Sequence, residues 1–324
     1  MASARSWRPV QPLDGPHRVR VEDIGPLNDV FSDAFTDRYR RDGMVGVRVP
    51  LLNPAIWRYA VEDAGAGAML WRDERGAIAA FNITHSSGRE GWMGPLAVRA
   101  DHQGGGAGKE VVRAGIAWLR TRGAATIGLE TMPRTMDNIG FYSSLGFLPG
   151  RLTLTMSLDA AAAERPAVLL GRLAMAERTE RIAAISALTE RVQPGFDFVR
   201  EIELTDRLAI GDTVLLQHKG EVTGFALCHT VPLVEGRARE ELRVLKMVLA
   251  RREDIGAMMA ALQDYARRSG ARRVAVRAQG EYSDVYQKLV GMGARLRWTD
   301  LRMTLEGYPE PLPAEGVAWS NWEI

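Results

Sequence analysis

Residues 94 to 109 read Gly94-Pro95-Leu96-Ala97-Val98-Arg99-Ala100-Asp101-His102-Gln103-Gly104-Gly105-Gly106-Ala107-Gly108-Lys109. An apolar strand ending near Val98 enters a glycine-dense loop, and a helix with Val111, Val112, Ile116 and Leu119 on one face follows. Glycines let the backbone approach a ligand closely and adopt positive φ. A helix start aims free N–H groups at whatever the loop holds. The chemistry on offer is capture of an anion such as a pyrophosphate. A GxxxxGK[ST] loop is excluded, because Gln103 and Glu110 stand where Gly and Ser or Thr are needed. A GxGxxG dinucleotide fingerprint fails at Lys109, where its last glycine should be.

A third pattern fits. Gln103-Gly104-Gly105-Gly106-Ala107-Gly108 resembles the Q/R-x-x-G-x-G/A signature of the GNAT superfamily of N-acetyltransferases. Asn138-Ile139-Gly140-Phe141-Tyr142-Ser143-Ser144-Leu145-Gly146-Phe147 resembles that family's closing motif, a helix with an aromatic pair ending at Leu-Gly-Phe. The asparagine common seven residues before the tyrosine is replaced here by Thr135, with Asn138 nearby. The resemblance implies an acyl-CoA, acetyl-CoA above all, as co-substrate, with no metal. It implies that Gln103, Gly104, Gly105, Gly106, Ala107, Gly108 and Lys109 cradle the pyrophosphate. Leu96, Ala97 and Val98 would pair with the pantetheine arm like an added strand, and Asn138 and Phe141 would line the same crevice. The Gly94-Pro95 irregularity is suited to splaying that strand from its neighbour.

Transfer to an amine needs a positioned thioester, a polarised carbonyl, a means of deprotonating the amine and a proton for the departing thiolate. Tyr142 matches the family's tyrosine and is the general-acid candidate. Two residues compete as base, with a water relay as the third option. Glu130 ends the strand Ile127-Gly128-Leu129-Glu130, and His85 ends the strand Phe81 to Thr84 with a pKa suited to the role. Asp101 and His102 are expected to face solvent. The acceptor is a small-molecule or peptide amine, and the segments Arg38 to Asn53 and Val231 to Arg239 are expected to select it. Two other readings are a transferase using a carrier-protein donor and a non-catalytic acyl-CoA sensor or scaffold.

The elements that position these residues occur twice. Arg75-Gly76-Ala77-Ile78-Ala79-Ala80-Phe81-Asn82-Ile83-Thr84-His85-Ser86 is echoed by Lys219-Gly220-Glu221-Val222-Thr223-Gly224-Phe225-Ala226-Leu227-Cys228-His229-Thr230. Trp118 to Ala124 matches Tyr265 to Ala271, each a basic helix end closed by glycine. Tyr142 and Leu145 match Tyr286 and Leu289. Together with the resemblance, the repeat predicts a mixed α/β (α+β) fold of two tandem GNAT-like domains, each a largely antiparallel sheet flanked by helices. The expected divisions are a catalytic domain over 1–158, an Ala-rich linker over 159–170, a degenerate copy over 171–308 and a tail over 309–324. In the copy, Ala250 to Gly256 answers the glycine loop with four charged residues, two of them acidic, where phosphate would be repelled. The tail carries Trp319 and Trp322 and is expected to dock on a domain.

Composition bounds the rest. The 324 residues are 46% hydrophobic and 25% charged, enough for two buried cores. A net charge of +2, from 42 basic and 40 acidic residues, gives no pull toward nucleic acid. The single cysteine, Cys228, sits in an apolar run and excludes an intrachain disulfide. No run is long enough for a membrane span, and the opening residues lack a secretory apolar stretch, so a cytoplasmic enzyme is expected. Homo-oligomerisation is left open by the sequence.

Overall fold

The computed structural model describes residues 12–324. The first half runs β1 (Asp14–Arg18), α1 (Ile24–Arg41), α2 (Pro54–Ala64), β2 (Ala68–Arg72), β3 (Ile78–Ser87) and β4 (Glu90–Val98). After the glycine loop come α3 (Ala107–Thr121), β5 (Thr126–Thr131), α4 (Met136–Ser143) and β6 (Phe147–Asp159). The second half repeats the order: β7 (Val168–Leu169), α5 (Met175–Val192), α6 (Val199–Arg207), β8 (Gly211–His218), β9 (Glu221–His229) and β10 (Glu241–Leu249). It continues with α7 (Ile255–Arg268), β11 (Arg273–Gln279), α8 (Ser283–Gly291), β12 (Arg295–Leu305) and a closing strand, β13 (Val317–Ser320).

Local sequence explains the elements around the site. Asn53 caps α2 by accepting from the Ala55 amide at 3.0 Å, and Pro54 supplies a first residue that needs no donor. Helix α3 buries Val111, Val112, Gly115, Ile116 and Leu119 on one side, as their spacing requires. At Gly115 a Cβ would lie 2.5 Å from the Met93 sulfur, so only glycine lets α3 approach the sheet this closely. All ten residues of β3 are buried, so its polar members, such as Asn82 and His85, find their partners inside the protein. Among the described residues no helix is long and apolar enough to cross a membrane.

The fold is the expected mixed α/β arrangement of two like halves flanked by helices, and their sheets are joined edge to edge into one of 13 strands. Its order is β1-β2-β3-β4-β5-β12-β6-β11-β10-β9-β8-β7, with β13 on β10. The strand that ends each half has crossed to the other. β12 pairs antiparallel with β5 (Leu301↔Thr131 to Thr304↔Gly128), and β6 pairs antiparallel with β11 (Arg273↔Asp159 to Gln279↔Thr153). β12 and β6 then pair with each other. The boundary expected at 158 thus falls inside a strand held by the second half's ladder. Opening the halves would expose whole rows of backbone donors and acceptors, so the sheet holds them as one body. The helices lie on its two faces, α1, α2, α5 and α6 over one, α3, α4, α7 and α8 over the other, with separate apolar clusters beneath them.

Candidate active site

Strands β4 and β5 make a fork. They pair in parallel from Glu90↔Thr126 to Met93↔Leu129 and then part. Past the fork, Leu96, Ala97 and Val98 keep their partners on β3 (Asn82, Phe81 and Ala80), so the edge facing β5 is open. A bulge in β4 lies at Gly94-Pro95, where the register against β3 shifts. The strand therefore offers unpaired main-chain groups to an extended ligand, the geometry of strand addition.

The glycine loop follows directly. Gly104 and Gly106 have φ of 89° and 96°, a region open to glycine at little cost. Space beside both is clear, since a Cβ built on either meets nothing within 4 Å. Gly106 is the residue before α3, and the first amide to find a backbone acceptor is that of Lys109, bonded to the Gly106 carbonyl at 2.9 Å. Among the described residues the amides of 104–108 have no backbone acceptor, which leaves them ready for an anion. Gln103 anchors the loop: its side-chain amide donates to the Val98 carbonyl at 2.8 Å and its oxygen accepts from Arg41 at 3.0 Å. Lys109 is exposed at the loop's edge. Gly108 stands against Phe141, 3.2 Å from where a Cβ would be, which joins loop and α4. Asn138 donates to the Thr131 hydroxyl at 3.4 Å. His102, expected in solvent, is turned inward: it lies 2.9 Å from Arg99, and its side chain is 5% exposed.

The three candidates for proton transfer differ sharply. Tyr142 lies on α4 between Phe141 and Phe147, its ring buried and its pKa raised by desolvation, so the phenol stays protonated. No hydrogen bond to its hydroxyl is found among the described residues, which leaves it able to donate to a ligand. Glu130 is committed at both oxygens. Arg302 Nε donates to it at 2.8 Å and the Thr153 hydroxyl at 2.5 Å, while Arg277 holds the other oxygen. Although burial alone would raise its pKa, the Arg277 and Arg302 guanidinium groups hold it down at about 2. Such a carboxylate is a poor base. His85 is 1% exposed, stacked on Trp92 at 4.0 Å and bonded through Nδ1 to Asp63 at 2.5 Å, and burial lowers its pKa. It is a core histidine, as is its repeat His229, which packs edge-on against Tyr59.

Sequence reasoning missed the polar floor beside Glu130. Arg277 of β11 bonds Glu130 and Asp300 and pairs with Glu323 at 2.8 Å, so the oxygens of three carboxylates converge on one guanidinium. Arg302 was visible as a lone cation between Leu301 and Met303, but two of its partners, Glu130 and Thr153, lie 172 and 149 residues away. Beside this floor, Met132, Pro133 and Arg134 face Leu296 to Thr299 across a cavity of about 380 Å³. The two segments expected to select the acceptor meet: Asn53 N donates to Leu233 O at 2.9 Å and Glu235 N to Leu51 O at 3.1 Å. In the second half the loop answering the glycines is short, Ala250 to Asp254, with no glycine. Arg251 pairs there with Asp254 at 2.8 Å, and α7 begins at Ile255.

Comparison with known proteins agrees with this geometry. Residues 32–147 match the model of the Acetyltransferase (GNAT) family. No curated protein matches the chain in sequence. Among solved structures, a candidate acetyltransferase from Pyrococcus horikoshii superposes with a TM-score of 0.67 at 16% identity, covering 99% of this chain and 97% of its own. A tandem GNAT protein from the clavulanic acid biosynthesis pathway gives 0.60 at 12% identity, covering 93% and 99%. A GCN5-related N-acetyltransferase from Sphaerobacter thermophilus gives 0.60 at 14%, covering 92% and 97%. The shared fold therefore extends over both halves.

Proposed function

We propose that the chain transfers an acyl group from acyl-CoA, acetyl-CoA first, to an amine at the β4/β5 fork, a reading supported by the match of residues 32–147 to the acetyltransferase (GNAT) family model. The observation that carries this reading is the free amide nest of residues 104–108, continuous with the open edge of Leu96 to Val98. The nest takes the diphosphate and the edge takes the pantetheine. An open-edge amide then stabilises the oxyanion as the amine attacks the thioester carbon. The C–N bond forms as the C–S bond breaks, and Tyr142 gives its proton to the thiolate. Glu130 and His85 are held in internal pairs, so the amine proton leaves through water. We assign to Glu130 the task of fixing Arg277 and Arg302 beneath the fork. The first half alone has the loop to grip the carrier, which makes the second half a degenerate copy.

The test is release of free thiol from acetyl-CoA in the presence of a panel of amines, run beside a calorimetric CoA titration. One CoA bound per chain and amine-dependent thiol release are expected. Binding without release for every amine and acyl chain would leave a sensor.

A further inference from the structure

The second half has the same fork, and the chain itself fills it. β10 and β11 pair in parallel from Glu241↔Arg273 to Arg243↔Ala275 and then part. Counted from the matching first rungs of the two forks, Pro95 to Val98 correspond to Lys246 to Leu249. The bulges correspond as well, at Gly94-Pro95 and at Leu245. On that second edge lies β13, antiparallel, from Lys246↔Ser320 to Leu249↔Val317. Gly316 leads it in with φ of 76°, and a Cβ there would stand 2.2 Å from the Leu249 carbonyl oxygen. Arg252, in the loop that replaces the phosphate nest, donates to the Gly316 carbonyl at 3.1 Å. The degenerate loop grips a peptide.

From this seat the segment crosses to the first fork. Asn321 N donates to Leu245 O at 2.8 Å, and Trp322 Nε1 donates to Glu90, on the first rung of the β4/β5 fork, at 2.7 Å. The indole lies against β5 and is tied to β4 by its bond to Glu90, while the Trp322 main chain passes Gly94. A Cβ on Gly128 of β5 would be 2.3 Å from its ring, and one on Gly94 of β4 would be 3.5 Å from the Trp322 carbonyl oxygen. Gly128 is on the last rung but one before the strands part, and Gly94 is the residue just beyond the last rung. Glycine at 128 admits the ring. The Arg302 guanidinium, bonded to Glu130, covers the indole at 4.0 Å.

We propose that residues 316–320 are a built-in strand ligand of the second fork, and that they hold Trp322 as a positioning residue that sets the spacing of β4 and β5 at the first. This rests on the reading of the first fork as the thioester site. It gives the second half a task that needs no cofactor of its own: main-chain pairing supplies the grip, and the aromatic ring carries the geometry across.

The experiment uses the full chain with two separate readouts, CoA affinity for the glycine loop and amine turnover for the fork. W322A should keep its CoA affinity within about threefold yet lose turnover by roughly tenfold to a hundredfold, the scale of a misplaced reacting group. W322F, which restores a ring, should recover most of the loss. G316V, altered only at the second fork, should reproduce the W322A defect and make the segment after residue 312 protease-sensitive. Wild-type turnover in a folded G316V overturns the proposal even if W322A fails to fold. So does wild-type turnover in W322A, or a second equivalent of CoA bound by the unaltered chain. CoA affinity retained in G106D would instead strike the reading of the first site.

Discussion

The two forks share a backbone and differ in what their loops can hold. At the first, Gly104 and Gly106 turn a loop whose amides have no acceptor, and the strand edge beyond is open. At the second, the loop is shortened and closed by internal pairs of Arg251 with Asp254 and of Arg252 with Asp284 at 3.2 Å, and the edge carries β13. Divergence therefore did not demolish the second groove. It kept the edge, because an open edge is costly to leave unpaired in a core, and changed the ligand to a piece of the same chain. The comparison teaches that ligand specificity here lies in the loop after the fork and not in the fork.

The largest way to break this contrast is to charge the first loop. Gly106→Asp should weaken CoA binding by more than about a hundredfold, since a carboxylate enters the nest and the residue must hold positive φ. Gly106→Ala tests the backbone part alone and should lose less in the same titration. Next, Tyr142→Phe should leave the CoA affinity intact and lower turnover on the order of a hundredfold. Unchanged turnover would remove its acid role.

Glu130 sharpens the contrast through stability. Glu130→Gln should cost about 3 kcal/mol in denaturant unfolding, because two buried guanidinium groups lose a charged partner. The acid side of the pH–rate profile of turnover should keep its midpoint, as it would not if Glu130 were the base. Its pKa is depressed to about 2 when folded, against an ordinary unfolded value near 4.3. The native state therefore binds fewer protons, and its contribution is complete above the unfolded value. It is lost as pH falls toward about 2, a limb of roughly 3 kcal/mol that the glutamine variant should lack. The smallest effect belongs to the second loop. Arg252→Ala removes one charged hydrogen bond to Gly316, about 1 kcal/mol, and should speed amide exchange in β13 roughly fivefold.

Much of this was legible in the residues. The glycine run after an apolar strand and before an amphipathic helix located the loop, because phosphate nests need positive φ and free amides within a few consecutive residues. The echo between the segments at 75 and 219 showed that the elements recur. The base was not legible. Glu130 and His85 stand at strand ends, where sequence expects a cleft, but their partners Arg277, Arg302 and Asp63 lie 147, 172 and 22 residues away. Only those partners show that one is a trapped carboxylate and the other a core imidazole. His102 was misread as solvent-facing in part for the same reason: Arg99 is a near neighbour in the chain, but Asp73, which holds Arg99 and faces the ring, lies 29 residues back.

The sequence by itself determined the local chemistry: where the chain turns, which helix faces are apolar, and which loop can accept an anion. These follow from steric and hydrogen-bonding rules acting over a few neighbouring residues. The exchange of β6 and β12, the seat of β13 and the arrival of Trp322 under the first fork were decided only by the tertiary structure. An exposed strand edge accepts any strand of suitable register, so the tryptophans of the tail mark it as docking without saying that it forms a strand or whose edge it completes.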